Sequence, residues 1–206
     1  MQAPHDLLRL RDPRDLVHRV PTPSWVCEAL LLAPWVVVRR APFENELIPV
    51  GVRGRNRSER FAAFAHAASI VQCAKPEELA AGQSWRTAPR REELPAMRAL
   101  PPIHAMLRKL GLAWGPIGSV GFELASGLPA ANSGSDLDLL IRVQDTVLPR
   151  TIAEDLVAFM EGVGVRVDVG LETTAGGIAL AEYARGVPEL LLRTLNGPRL
   201  IRHPRW

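Results

Sequence analysis

The sequence predicts an α+β protein in two parts: a small α/β N-terminal domain over residues 1–84 and a mixed β-sheet with packed helices over residues 85–206. Three observations lead there. Short β-branched runs alternate with helical periodicities, a proline-rich stretch from Lys75 to Pro102 interrupts them, and the second half holds two aspartate-bearing strand-like runs separated by one helical run. With 206 residues, 47% of them apolar, the chain is long enough to bury a substantial core.

In the first part, Thr22-Pro23 opens a helix through Leu32, with Trp25, Ala29 and Leu30 on its apolar side, and Pro34 ends it. The run from Trp35 to Arg39 reads as a buried strand. Leu47 to Arg53 reads as a second, in which Pro49 argues for an edge position. After it, Ser58 is a candidate N-cap, and Phe61, Phe64, Ala68 and Val71 recur at helical spacing. The loop leading in holds four arginines in eight residues, Arg53, Arg55, Arg57 and Arg60. A helix N-terminus offers free N–H groups and a positive dipole end, so Arg53, Arg55 and Arg57 beside it would suit a polyphosphate. The plainer alternative is a solvated basic turn.

Residues 75–102 read as a linker, with a short helix at Glu77 to Ala81 and with Arg86, Arg90 and Arg91 projecting from it; the domain boundary falls near residue 85. Pro102 then starts a helix with Ile103, Met106, Leu107 and Leu110 on one side and Gly111 as its stop. His104, on the other side, reads as a packing or surface residue, and the remaining histidines have no partner at zinc-ligand spacing. Thr151-Ile-Ala-Glu154 is a capping-box pattern ahead of Ile152, Leu156, Phe159, Met160 and Val163 at helical spacing. Val165 to Val169 is the strand after it. Near the C-terminus, Leu190 to Arg193 and Arg199 to Arg202 flank Asn196-Gly197 as a hairpin.

Composition narrows the function classes. The first twenty residues lack the apolar stretch of a signal peptide, and the longest apolar run, Ala29 to Val38, is about half a membrane span and contains Pro34. A cytoplasmic protein without membrane contact is therefore expected. Cys27 and Cys73 read as free thiols. The formal charge is only +3, and aromatic residues, at 5%, are not interleaved with the arginines, which argues against a nucleic-acid-binding protein.

The chemistry concentrates between Ile117 and Arg142. A Gly-Ser pair, Gly118 and Ser119, closes a short apolar run, and Asp136 and Asp138 follow within Asp-Leu-Asp-Leu-Leu-Ile. In a strand, residues i and i+2 share a face, so both carboxylates point one way while Leu137, Leu139 and Ile141 face the core. Aspartate is a poor strand former, so two of them in so apolar a run need a reason, most simply a cation. Asp168, between valines of the next predicted strand, can join them if the two strands are neighbours. Three carboxylates suit magnesium, and two such ions about 3.5 to 4 Å apart can clamp the attacking and leaving oxygens of an in-line displacement. Gly118 and Ser119 would then let backbone N–H groups and the hydroxyl approach the leaving phosphates.

Gly118-Ser119, Asp136-x-Asp138 and the later Asp168 resemble the signature of the polymerase-beta-type nucleotidyltransferase superfamily. The resemblance implies a nucleotidyltransferase-like mixed sheet with packed helices and two magnesium ions. Sixteen residues separate Ser119 from Asp136, more than that superfamily usually has. A narrower resemblance accounts for the length. Trp114 to Gly127, Ser135 to Leu139 and the upstream Pro49 to Gly54 are similar to the holo-acyl-carrier-protein synthases of malonate decarboxylase, the phosphoribosyl-dephospho-CoA transferases, and the likeness runs from about residue 20 to the C-terminus. It implies transfer of the phosphoribosyl-dephospho-CoA group from 2'-(5''-triphosphoribosyl)-3'-dephospho-CoA to a serine of the apo acyl-carrier subunit, with release of diphosphate. Asp136, Asp138 and Asp168 would bind the metals, Gly118 and Ser119 the leaving diphosphate, and Arg53, Arg55 and Arg57 the triphosphate or the carrier surface. The alternative is a superfamily member with an NTP donor.

Overall fold

The structure, a computed structural model, describes residues 2–56, 58–143 and 148–202; Arg57 lies outside them. The chain divides into two compact units, Met1–Lys75 and Pro76–Trp206, so the division comes ahead of the proline-rich stretch rather than within it near residue 85.

The first unit is one six-stranded antiparallel sheet with one α-helix. Its strands are β1 (Leu7–Leu10), β2 (Leu16–Val17), β3 (Trp35–Val38), β4 (Leu47–Arg53), β5 (Arg60–His66) and β6 (Ile70–Ala74), ordered β2-β5-β4-β3-β1-β6, and α1 (Ser24–Leu32) joins β2 to β3. Val26 and Leu30 of α1 are buried in a core with Leu8, Leu10, Val36, Val50 and Ala63. Two sequence expectations fail here for physical reasons. Residues 60–66 form a strand, not a helix after Ser58: Phe61, Ala63 and Ala65 face the core while Arg60, Ala62 and His66 are exposed, and alanines on both faces mask that alternation. Pro49 is not on an edge, since β4 lies between β3 and β5. Its carbonyl accepts from Arg39 N at 2.9 Å, just past the end of β3, so its ring nitrogen faces the side where that ladder has stopped.

The second unit carries α2 (Pro76–Gly82), α3 (Pro95–Arg98), α4 (Leu100–Lys109), β7 (Ala113–Pro116), α5 (Gly118–Ser126), β8 (Leu137–Arg142), α6 (Arg150–Glu161), β9 (Val167–Thr173), β10 (Gly176–Ala179), α7 (Leu180–Ala184), β11 (Glu189–Thr194) and β12 (Gly197–Arg202). The sheet order is β12-β11-β10-β9-β8-β7. Only β8 and β9 run parallel, which makes the sheet mixed, and α6 is the crossover between them. The C-terminal hairpin is as expected, with Thr194 opposite Gly197.

The proline-rich stretch is core, not linker. Trp85 is 0% exposed, and Leu94, Ala96, Met97 and Leu100 are buried with it. Pro76 and Pro95 sit at the starts of α2 and α3, where a missing N–H costs nothing, so these prolines begin helices rather than interrupt them. A methyl group on Gly115 would overlap the Pro76 carbonyl, so α2 lies directly on β7. The Arg142 guanidinium pairs with Glu77 and ties α2 to β8 as well. The Thr151 cap is also absent: α6 begins two residues earlier, at Arg150 after Pro149, without a side-chain cap, and Glu154 pairs with Arg150 at 3.2 Å. No helix among the described residues is long and apolar enough to cross a membrane.

Candidate active site

The site is built where β7 gives way to α5. Ile117 is extended, and its N–H donates to the Asp138 carbonyl at 2.9 Å, which fastens the turn to β8. Gly118 then turns the chain into α5 at φ +62°, a left-handed conformation that favours glycine. A side chain at this position would overlap Asp138 Oδ2. The Asp138 carboxylate therefore lies against the first residue of α5, at the positive end of the helix dipole. Ser119 follows in the first turn and is 8% exposed. From Gly118 the chain is helix through Ser126, and residues 127–136 lead on to β8.

On β8, Leu137, Leu139 and Ile141 are fully buried, while Asp136, just before the strand, and Asp138 are half-buried. Asp138 is the register partner of Asp168 on parallel β9, so both side chains leave the sheet on one face. The same face continues with Leu140, which is buried, so the acids stand at its open end. Asp168 is exposed and pairs with Arg166 Nη2 at 3.2 Å. Among the described residues no group of three His, Cys, Asp or Glu side chains converges to hold a metal. The donor set is still of the right kind. Asp138 and Asp168 offer oxygen ligands from neighbouring strands, Asp136 adds another from the same segment, and the room at Gly118 exists only because a β-carbon is missing.

A buried carboxylate that sequence reasoning passed over organises the loop after α5. Glu123, 7% exposed, accepts from Ala130 N at 2.8 Å and Ala131 N at 2.9 Å and pairs with Arg90 Nη1 at 3.1 Å. Arg90 also donates to the Ala131 carbonyl at 3.1 Å. Far from projecting into solvent, Arg90 staples the loop that leads back to Asp136. The signal available was a lone glutamate in the apolar turn Gly-Phe-Glu-Leu-Ala.

The arginine loop belongs to the first unit, the carboxylates to the second. Arg53 ends β4 opposite Arg60, so the loop is a hairpin turn with no helix N-terminus behind it. Within that turn Glu59 accepts from Asn56 N at 2.9 Å and Asn56 Nδ2 at 3.2 Å. The Asn56 backbone N–H, more than its side-chain amide or the nearby Arg55, holds the Glu59 carboxyl below the usual range. The loop thus carries a fixed negative charge of its own. A phosphate cradle based on a helix dipole does not exist there.

Comparison with known proteins extends over both units. Residues 79–204 match the family described as Phosphoribosyl-dephospho-CoA transferase MdcG C-terminal domain, and residues 3–76 match its N-terminal domain counterpart. A relative from Pseudomonas aeruginosa is 43% identical, covering 98% of this chain and 92% of the relative. One from Pseudomonas putida is 40% identical over 98% and 94%, and one from Azotobacter vinelandii 39% over 97% and 97%. All three are named phosphoribosyl-dephospho-CoA transferase. No solved structure matches. Agreement of this breadth, on an α+β fold with paired aspartates beside a helix start, makes the chain a transferase. It belongs to the phosphoribosyl-dephospho-CoA transferase family, with both family domains present.

Proposed function

We propose that the chain transfers the phosphoribosyl-dephospho-CoA group from 2'-(5''-triphosphoribosyl)-3'-dephospho-CoA to a serine of the apo acyl-carrier subunit of malonate decarboxylase, in the cytoplasm and with magnesium. The observation that carries this reading is the Asp138 carboxylate, set against Gly118 at the start of α5 and beside Asp168, in a chain whose relatives are named for this transfer. In the reaction the serine oxygen bonds to the α-phosphorus as its proton passes to Asp168, the bond from that phosphorus to the bridging oxygen breaks, and diphosphate leaves. Asp136 and Asp138 would hold two magnesium ions, and Asp168 would complete the first ion's shell. Bound magnesium would neutralise charge building on the transferred phosphoryl and the leaving diphosphate. Gly118 N–H and the Ser119 hydroxyl, in the first turn of α5, would receive the diphosphate at the helix N-terminus. Asp168, the most exposed of the acids, would orient the incoming serine hydroxyl by accepting its hydrogen bond. Arg53, Arg55 and Arg57 would supply positive charge for the anionic donor or an acidic carrier, a contact that salt weakens.

The test offers purified protein and magnesium either the triphosphoribosyl donor with apo carrier or labelled ATP, CTP, GTP and UTP, and reads the mass added to the carrier. Addition of the phosphoribosyl-dephospho-CoA mass is expected. Consumption of an NTP alone would overturn the reading. Asp138→Ala is expected to lower transfer by about 100-fold or more, since even outer partners of a metal ligand are worth 10 to 100-fold, with the circular dichroism of the wild type retained.

A further inference from the structure

The carboxylate face carries a cation of its own. Leu137 N donates to the Arg166 carbonyl at 2.9 Å, the rung of the β8–β9 ladder just before the Leu137–Val167 pair. Arg166 therefore lies alongside Asp136 as Asp168 lies alongside Asp138. Two apart along an extended chain, Arg166 and Asp168 leave the sheet on the same face, and Arg166 Nη2 meets Asp168 Oδ2 at 3.2 Å. Both are open to solvent, at 71% and 52% exposure, and a pair so exposed adds little to stability. Fold stability does not account for an arginine among these acids.

We propose that Arg166 is the counter-ion of the carboxylate face and the ligand of the donor's phosphates, exchanging one role for the other when metal binds. This rests on the reading of the chain as a magnesium-using phosphoribosyl-dephospho-CoA transferase. A guanidinium bound to Asp168 and a divalent cation compete for the same oxygen. Once displaced, the guanidinium stands at the edge of the site with its fork free, and a forked donor of this kind matches the paired oxygens of a phosphate. Arg53 and Arg55, the arginines read from the sequence as phosphate ligands, sit in the other unit; Arg166 stands at the acids' own end of the face, whereas Arg142, farther along it, pairs with Glu77. Arg166 is a binding and positioning residue, and no bond to it forms or breaks.

Full-length wild type, Arg166→Gln and Arg166→Lys test this by two bindings that need neither donor nor carrier: Mn2+ binding followed by electron paramagnetic resonance, and diphosphate binding in saturating Mn2+ followed by calorimetry. Loss of the competing positive charge is expected to tighten Mn2+ binding about threefold or more in Arg166→Gln. Loss of the charge-assisted fork is expected to weaken diphosphate about tenfold, with Arg166→Lys in between. Opposite signs on the two readouts are what a merely structural arginine would not produce. Mn2+ binding that is unchanged or weaker in Arg166→Gln, or diphosphate binding that is unchanged, overturns the proposal. A wild type that binds both ions yet transfers nothing overturns the transferase reading alone.

Discussion

Gly118 meets two demands at once, a left-handed backbone and an Asp138 oxygen where its β-carbon would be. Gly127, which ends α5, has a φ of +73° but open space around its missing side chain. The pair separates strain from contact. Gly118→Ala is expected to cost about 1–3 kcal/mol and to abolish most transfer, because Asp138 or the first turn of α5 has to move. Gly127→Ala bears the backbone strain alone, about 1–2 kcal/mol, and is expected to keep near-normal transfer. Denaturant unfolding beside the transfer assay checks both, and equal loss of transfer in the two variants would remove the Asp138 contact from the argument. At this scale the placement of Asp138 and Asp168 on neighbouring strands was legible because an acid in an apolar strand is costly and so conspicuous. Arg166 was not, since an arginine alternating with valines looks like an ordinary solvated position. Glu123 stayed hidden because its partners, Arg90 and two loop N–H groups, lie far off in sequence or on the backbone.

Among the elements, α4 holds the clearest link between packing and pH. His104 meets Trp85 edge to face with ring centres 5.6 Å apart and lies tilted against Trp114 at 6.1 Å. Burial, aided by Arg108 and Arg86, pushes its pKa below the ordinary 6.5. The folded state thus binds the proton less readily than the unfolded chain. Its stabilising effect is complete above 6.5, falls as pH drops through that value, and stops falling below the depressed folded value. The melting temperature is expected to decline on acidification through this window, and less steeply in His104→Phe; identical slopes would sink the assignment. Elements with a strong period, such as α4, α6, β3 and the C-terminal hairpin, could be read directly. Those built on alanine or proline could not. Alanine-rich β5 passes for helix, and Pro76, Pro95, Pro101 and Pro102 pass for breaks although they sit in first turns, where helices tolerate them.

For the whole molecule, the two units have separate cores, one around Leu8, Val36 and Val50, the other around Trp85, Leu100, Leu137 and Leu156. Each core belongs to one unit, as in an independently folding domain. Residues 76–206 expressed alone are expected to unfold in a single cooperative transition, read by circular dichroism on heating; a gradual, featureless loss of signal would contradict this. The α+β class and the two-part plan were legible in the sequence, but the division was displaced because proline content was taken for a linker. The mixed sheet has a further consequence for how the site comes into being. Hairpins β9–β10 and β11–β12 can zip from their turns, whereas Asp138 and Asp168, thirty residues apart, meet only after α6 has swung back across the sheet. The acids therefore assemble at the seam that closes the longest loop within this sheet. A nascent chain gains most of its secondary structure before these acids come together, and a one-residue slip at that seam would yield a folded protein with Asp168 on the wrong side of the sheet.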